Sequence, residues 1–153
     1  MSPQIKVIEL KPQDALAIRE IVPEAKIPDK MGQFFGELMA YFQKGGIAPA
    51  GPPFTIYHEF GSGGFDMEVG FPVAGPQKGE GRVRPCVLPG GRVVTTTHIG
   101  PYEKLEATYH EMQEWMARKG LTPKKLMWEV YLSDPGKVKD PERYVTGLYW
   151  PVE

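Results

Sequence analysis

Met31-Gly32-Gln33-Phe34-Phe35-Gly36-Glu37-Leu38-Met39-Ala40-Tyr41-Phe42-Gln43-Lys44-Gly45-Gly46 decides the fold, because its pattern recurs further along the chain. Met31, Phe34, Phe35, Leu38, Met39 and Phe42 are spaced by three and four residues, which places them on one apolar helix face. Asp29, following Pro28, is the expected N-cap, and Gly45-Gly46 the stop. In the second copy Tyr102, Leu105, Tyr109, Met112 and Met116 mark one face. Glu103 and Glu106 lie in its early turns, Arg118 and Lys119 in its last, and Gly120 ends it. Those charges complement the helix dipole.

Placing Gly46 on Gly120, an offset of 74 residues, extends the match. Phe35 lands on Tyr109, Leu38 on Met112, Tyr41 on Trp115, Ile47 on Leu121, Pro49 on Pro123, and Ile56-Tyr57 on Val130-Tyr131. With a small gap, Phe71-Pro72-Val73 falls on Trp150-Pro151-Val152, and Leu10-Lys11-Pro12 resembles Val87-Leu88-Pro89. A duplication accounts for this: one domain over 1–153, with internal repeats at about 4–75 and 81–153.

Segments 4–10, 14–21, 53–60, 65–73, 82–88, 91–98, 126–133 and 144–151 have strand composition. Each half therefore reads strand, strand, helix, strand, strand. Lys11-Pro12-Gln13, Gly61-Ser62-Gly63-Gly64 and Pro89-Gly90-Gly91 are short enough for hairpins and favour antiparallel pairing. The expectation is an α+β fold of two pseudo-symmetric repeats. They would form a curved, mostly antiparallel eight-stranded sheet with two long helices and a central groove, where ligands usually bind.

Composition narrows the function. The chain has 153 residues, 18 Lys+Arg against 19 Asp+Glu, 18 Gly, 16 Pro and a single cysteine, Cys86. One cysteine excludes an internal disulfide framework and any multi-cysteine zinc or iron–sulfur site, and favours a reducing, cytoplasmic setting. The first residues lack the apolar run of a signal peptide, and no stretch approaches the roughly 18 apolar residues of a membrane span. A net charge of −1 with interspersed signs supplies no field for a phosphate backbone, so autonomous DNA binding is not expected.

Most catalytic templates are absent. Gly61-Ser62-Gly63-Gly64 is neither a nucleophile elbow nor a dinucleotide fingerprint. His110-Glu111 opens like a zinc-binding H-E-x-x-H, but position 114 is Glu. No metal or cofactor is therefore expected.

The anomaly is Glu129 within Leu126-Met127-Trp128-Glu129-Val130-Tyr131-Leu132, a carboxylate inside a run of large apolar residues. In a strand, Trp128, Val130 and Leu132 share one face, expected to meet the helices and core, while Met127, Glu129, Tyr131 and Ser133 share the other. An ordinary solvated Glu is the alternative reading. A carboxylate withdrawn from water needs a positive partner, or its pKa rises and it becomes neutral. Rimmed by Tyr57, Tyr131 and Tyr149, with Trp150 or Phe35 nearby, it forms a site for a flat lipophilic cation, each aromatic contact contributing about 0.5–2 kcal/mol. Glu68 is a second strand acid that could face the groove. Tyr102, at the start of the second helix, reads as a pocket wall, a phenolic acid or a packed helix-start residue.

Met31 to Leu38, Asp66-Met67-Glu68-Val69-Gly70-Phe71-Pro72-Val73, His98-Ile99-Gly100-Pro101-Tyr102, Trp128 to Pro135 and Tyr149-Trp150-Pro151-Val152 together resemble the GyrI-like small-molecule-binding domain over essentially the whole chain. The resemblance implies duplicated strand-and-helix modules around a concave sheet. Such domains serve as effector-binding halves of AraC-type and MerR-type regulators or stand alone, as this chain would. It also implies that Glu129 is the residue that meets cationic aromatic multidrug ligands. Some free-standing relatives are hydrolases of cyclopropane-bearing genotoxins that use that glutamate and an aromatic partner; were this chain such an enzyme, Glu129 would activate a water or take a proton and Tyr102 or Tyr131 would steady the leaving group. The expected partner is thus a lipophilic or cationic small molecule, with binding or turnover left open.

Overall fold

A computed structural model describes residues 4–61, 63–134 and 137–153, so Ser62 and Pro135, quoted above, lie outside the described residues. Helix α1 spans Ile27–Gly45 and buries Phe34, Leu38 and Phe42; helix α2 spans Leu105–Arg118 and buries Leu105, Met112 and Met116. Single 3-10 turns, Glu24–Lys26 and Tyr102–Lys104, lead into them. The start of α1 differs from expectation: Lys26 is the N-cap, Pro28 sits in the first turn, and Asp29 lies inside the helix. Proline is preorganised for that turn, where its missing N–H loses no bond, and Asp29 still places its charge against the dipole.

The strands are β1 (Lys6–Leu10), β2 (Gln13–Val22), β3 (Phe54–Gly61), β4 (Gly64–Pro72), β5 (Arg84–Leu88), β6 (Gly91–Ile99), β7 (Met127–Tyr131) and β8 (Val145–Pro151). With two helices this is an α+β fold, and the strand pairs within each unit below are antiparallel.

The chain forms two compact units, Met1–Leu10 with Gly91–Glu153, and Lys11–Gly90. The first contains strands in the order β1-β6-β8-β7 and helix α2. The second contains β5-β2-β4-β3 and helix α1. The first strand of each sequence half therefore pairs with the second strand of the other half: β1 pairs with β6 and β5 pairs with β2. Only the expected hairpin at 61–64 forms, linking β3 to β4. At Leu10-Lys11-Pro12 and Leu88-Pro89-Gly90 the chain passes from one unit to the other. Proline holds the residue before it extended, so the backbone runs on instead of folding back.

Backbone hydrogen bonds match at corresponding positions of the two units. Gly46 and Gly120 both adopt left-handed backbone, with φ of 62° and 70°. Ile47 N–H donates to the Phe42 carbonyl and Leu121 N–H to that of Met116, each at 2.9 Å. Further on, Ala50 N–H donates to the Pro72 carbonyl and Lys124 N–H to that of Pro151, each at 2.8 Å. Each unit has its own core: Leu16, Ile18, Met67 and Val69 against Phe34, Leu38 and Phe42, and Val94 and Leu148 against Leu105, Met112 and Met116.

Candidate ligand-binding site

Register assigns the faces of the α2 unit. Glu129 pairs with Leu148, Tyr131 with Thr146, and these stand opposite Thr96 and His98 of β6. Cross-strand partners share a face, and Leu148 packs against α2, so Glu129 faces the helix. This corrects the face assignment made from the sequence: Trp128 points away from α2 and stacks on its cross-strand partner Tyr149, ring centroids 5.6 Å apart and planes at 10°. Leu132, expected in the core, is half exposed.

Glu129 retains only 5% of its exposure. Tyr131 Oη donates to Glu129 Oε1 at 3.0 Å, and Tyr109 Oη, reaching across from α2, donates to Oε2. Burial drives the carboxyl pKa up from its ordinary value of 4.5, and the two phenol bonds oppose that rise. Among the described residues none forms an ion pair with Glu129. The carboxyl group is thus buried against neutral donors alone.

Aromatic side chains extend from this centre. Tyr109 meets Trp150 edge to face at 6.3 Å, and Trp150 Nε1 donates to the Lys124 carbonyl. Tyr131 meets Tyr102 edge to face at 6.0 Å, and Tyr102 lies 5.2 Å from Tyr144 at a tilt of 32°. Tyr102 is 38% exposed, so this group reaches solvent. Burial, then Tyr144 and the Glu129 charge, hold the Tyr102 phenol protonated to higher pH than usual. The corner carrying Tyr102 is pinned twice. Gly100 N–H donates to the Tyr144 carbonyl at 2.8 Å, and buried His98 bridges the Pro101 carbonyl and the Thr108 hydroxyl. A carbonyl only accepts, so His98 Nε2 carries a proton, and in the neutral ring Nδ1 accepts from Thr108.

Of the residues singled out from sequence, Glu129, Tyr131, Tyr102 and Trp150 belong to this cluster, whereas Tyr149 lies on the opposite face of the strands. Tyr57, Phe35 and Glu68 belong to the other unit. There Tyr57 packs on Phe65 at 6.1 Å, and Phe35 on Phe71 at 5.8 Å. Glu68 lies 2.8 Å from His58 Nε2, and beside it the Cys86 thiol is pushed up in pKa by burial first and then by the Glu68 charge. That unit also has a surface cleft of about 300 Å³ lined by Glu37, Tyr41, Lys44, Glu80 and Arg82, whose charges pair with one another or with Glu20. No group of three or more metal-binding side chains occurs among the described residues, and no described helix is long and apolar enough to cross a membrane.

Tyr109 and Tyr144 were missed. The sequence gives Tyr109 an apolar helix position, and its signal lies in the repeat: the other half carries Phe35 there and Thr55 at the position of Glu129. Acid and phenol thus occur together in one half and are both absent from the corresponding positions of the other.

The α2 unit thus joins a buried carboxyl, two phenol donors and further aromatic rings in one cluster. The chain belongs to the GyrI-like family, matching the GyrI-like small molecule binding domain over residues 3–153. It is similar to EcmrR as seen in a DNA complex, with 26% identity and a TM-score of 0.85, covering 100% of this chain and 58% of that one. The match to the isolated EcmrR C-terminal domain has 25% identity and a TM-score of 0.78, covering 100% and 99% of the two chains. The present chain thus spans little more than half of EcmrR in its DNA complex. A hydrolase from Listeria innocua shares the fold at 18% identity and a TM-score of 0.70, covering 98% and 92%. No functionally curated protein matches the chain.

Proposed function

We propose that the chain binds a lipophilic, cationic small molecule, with Glu129 as its electrostatic anchor, Tyr109 and Tyr131 as the phenols that orient the carboxylate, and Tyr102, Tyr144 and Trp150 as aromatic walls. The observation that carries this reading is the absence of a positive partner for Glu129 among the described residues. A buried carboxylate without a counter-charge is expensive. An incoming cation supplies that charge, and the ring quadrupoles attract the same cation. The structure of SAV2435 bound to tetraphenylphosphonium, a fold neighbour at 12% identity and a TM-score of 0.64, suggests a probe of this class. Titrating a fluorescent rhodamine-type cation against the wild type and Glu129→Gln tests the proposal: the variant binds at least tenfold more weakly, and equal affinities remove its basis. A cytoplasmic setting accords with the lone Cys86.

A hydrolytic reading draws on the raised pKa of Glu129, which brings the group toward the range of a general base, and on Tyr102 as a protonated phenol at the rim. Incubation with a cyclopropane-bearing electrophile would then give ring-opened product, and its absence leaves binding alone.

A further inference from the structure

Thr146 is fully buried, and among the described residues its hydroxyl is the buried side-chain polar atom without a hydrogen-bond partner. Its place in the fold gives that meaning. Thr146 stands directly across from Tyr131 on one side and from His98 on the other, on the face that carries Glu129. Glu129 lies one cross-strand step further along, opposite Leu148, so Thr146 is its diagonal neighbour. Diagonal neighbours in an antiparallel pair are about 7–8 Å apart at the backbone. A hydroxyl buried without a partner is unfavourable, and such groups in folded proteins call for an explanation.

We infer that Thr146 is a second polar anchor of the Glu129 site, and that the preferred ligand carries a hydrogen-bonding group, such as a hydroxyl or carbonyl, a few bonds from its cationic centre. The inference rests on the proposed binding function and adds a specificity determinant to it. A cation that takes Glu129 displaces a phenol donor. Tyr131 donates to Glu129 Oε1 at 3.0 Å and stands directly across from Thr146, so the space it leaves is bordered by Thr146. An ammonium on the carboxylate and a hydroxyl two carbons away then span the diagonal from Glu129 to Thr146. The site thereby favours the hydroxylated ligand by the one hydrogen bond that Thr146 gains on binding.

The test compares 2-phenylethylammonium with 2-hydroxy-2-phenylethylammonium, which differ by one hydroxyl, by calorimetric titration. Its readout is the ratio of their two dissociation constants. The wild type prefers the hydroxylated cation by about five- to tenfold, the range of one neutral hydrogen bond. The ratio falls to about one in Thr146→Val, which keeps the shape, and returns in Thr146→Ser, which keeps the hydroxyl. A wild-type ratio near one, or a preference that survives Thr146→Val, overturns the subsite while leaving the Glu129 site standing. If neither cation binds the wild type, or both bind Glu129→Gln equally well, the cation-binding reading fails and the subsite fails with it.

Discussion

Tyr109 on α2 donates its hydroxyl to Glu129 on β7, twenty positions along the chain, and this bond joins helix to sheet. At an offset of 74 residues stand Phe35 and Thr55. Phenylalanine has no hydroxyl to donate, so the bond is particular to the α2 unit, and its removal has a defined consequence. Tyr109→Phe leaves the carboxylate with one phenol donor, moves the Glu129 titration upward and destabilises the protein at pH 8 by about 1.5–3 kcal/mol, the range for a hydrogen bond to a charged group. Carbon-13 NMR of labelled glutamate carboxyls checks the direction, and denaturant unfolding the magnitude.

Glu129 also sets a pH dependence. Its folded pKa is raised above 4.5 by burial, so its stabilising contribution is fully present below that value and is lost as pH rises through the folded value. Glu129→Gln removes the ionisation. The variant should match the wild type in melting temperature near pH 4 and exceed it at pH 8 by several degrees, each kcal/mol corresponding to about 2–4 °C in a chain of this size. Melts recorded from pH 4 to 9 show it, and a difference independent of pH contradicts it.

Tyr149 and Tyr131 separate structure from binding. Tyr149 stacks on Trp128 on the face away from Glu129, so Tyr149→Ala costs about 2–3 kcal/mol of stability through the lost ring contact but leaves affinity for a rhodamine-type cation within about twofold. Tyr131→Phe loses little packing and changes that affinity. Unfolding curves and titrations on both variants decide the matter, and a large affinity loss in Tyr149→Ala alone would reverse the assignment of faces.

The partnerless hydroxyl of Thr146 predicts an uncommon outcome for a buried substitution. Thr146→Val keeps the branched shape and removes a desolvated polar atom, so the free protein gains up to about 1–2 kcal/mol. A melting temperature below that of the wild type would mean that the hydroxyl is satisfied in solution.

Much of the architecture was legible because it rests on local rules. Helical spacing and left-handed glycines located the C-terminal ends of α1 and α2, and the offset of 74 residues anticipated the matching capping bonds at Ile47 and Leu121. The pairing of β1 and β5 with the opposite halves was not legible, since strand composition does not name a strand's partner; the prolines at 12 and 89 were the available hint. Alternation along β7 showed that Glu129 and Trp128 face opposite ways, but which face meets a helix is set by how the helix crosses the sheet. Hence the withdrawal of Glu129 from water was legible, while its donor Tyr109, distant in sequence and read as apolar, was not. Thr146 gave no signal, because a threonine in a strand is ordinary until its neighbours leave its hydroxyl without a bond.

The most direct test of Glu129 as a cation anchor is calorimetric titration of a rhodamine-type cation at pH 5 and pH 8, in buffers of different ionisation enthalpy. Binding to the wild type should tighten as pH rises through the folded pKa and release a proton below it, because the cation favours the ionised carboxylate, whereas Glu129→Gln should bind weakly at both pH values with no proton release. Equal affinity of wild type and variant, with no proton linked to binding in either, would contradict the account.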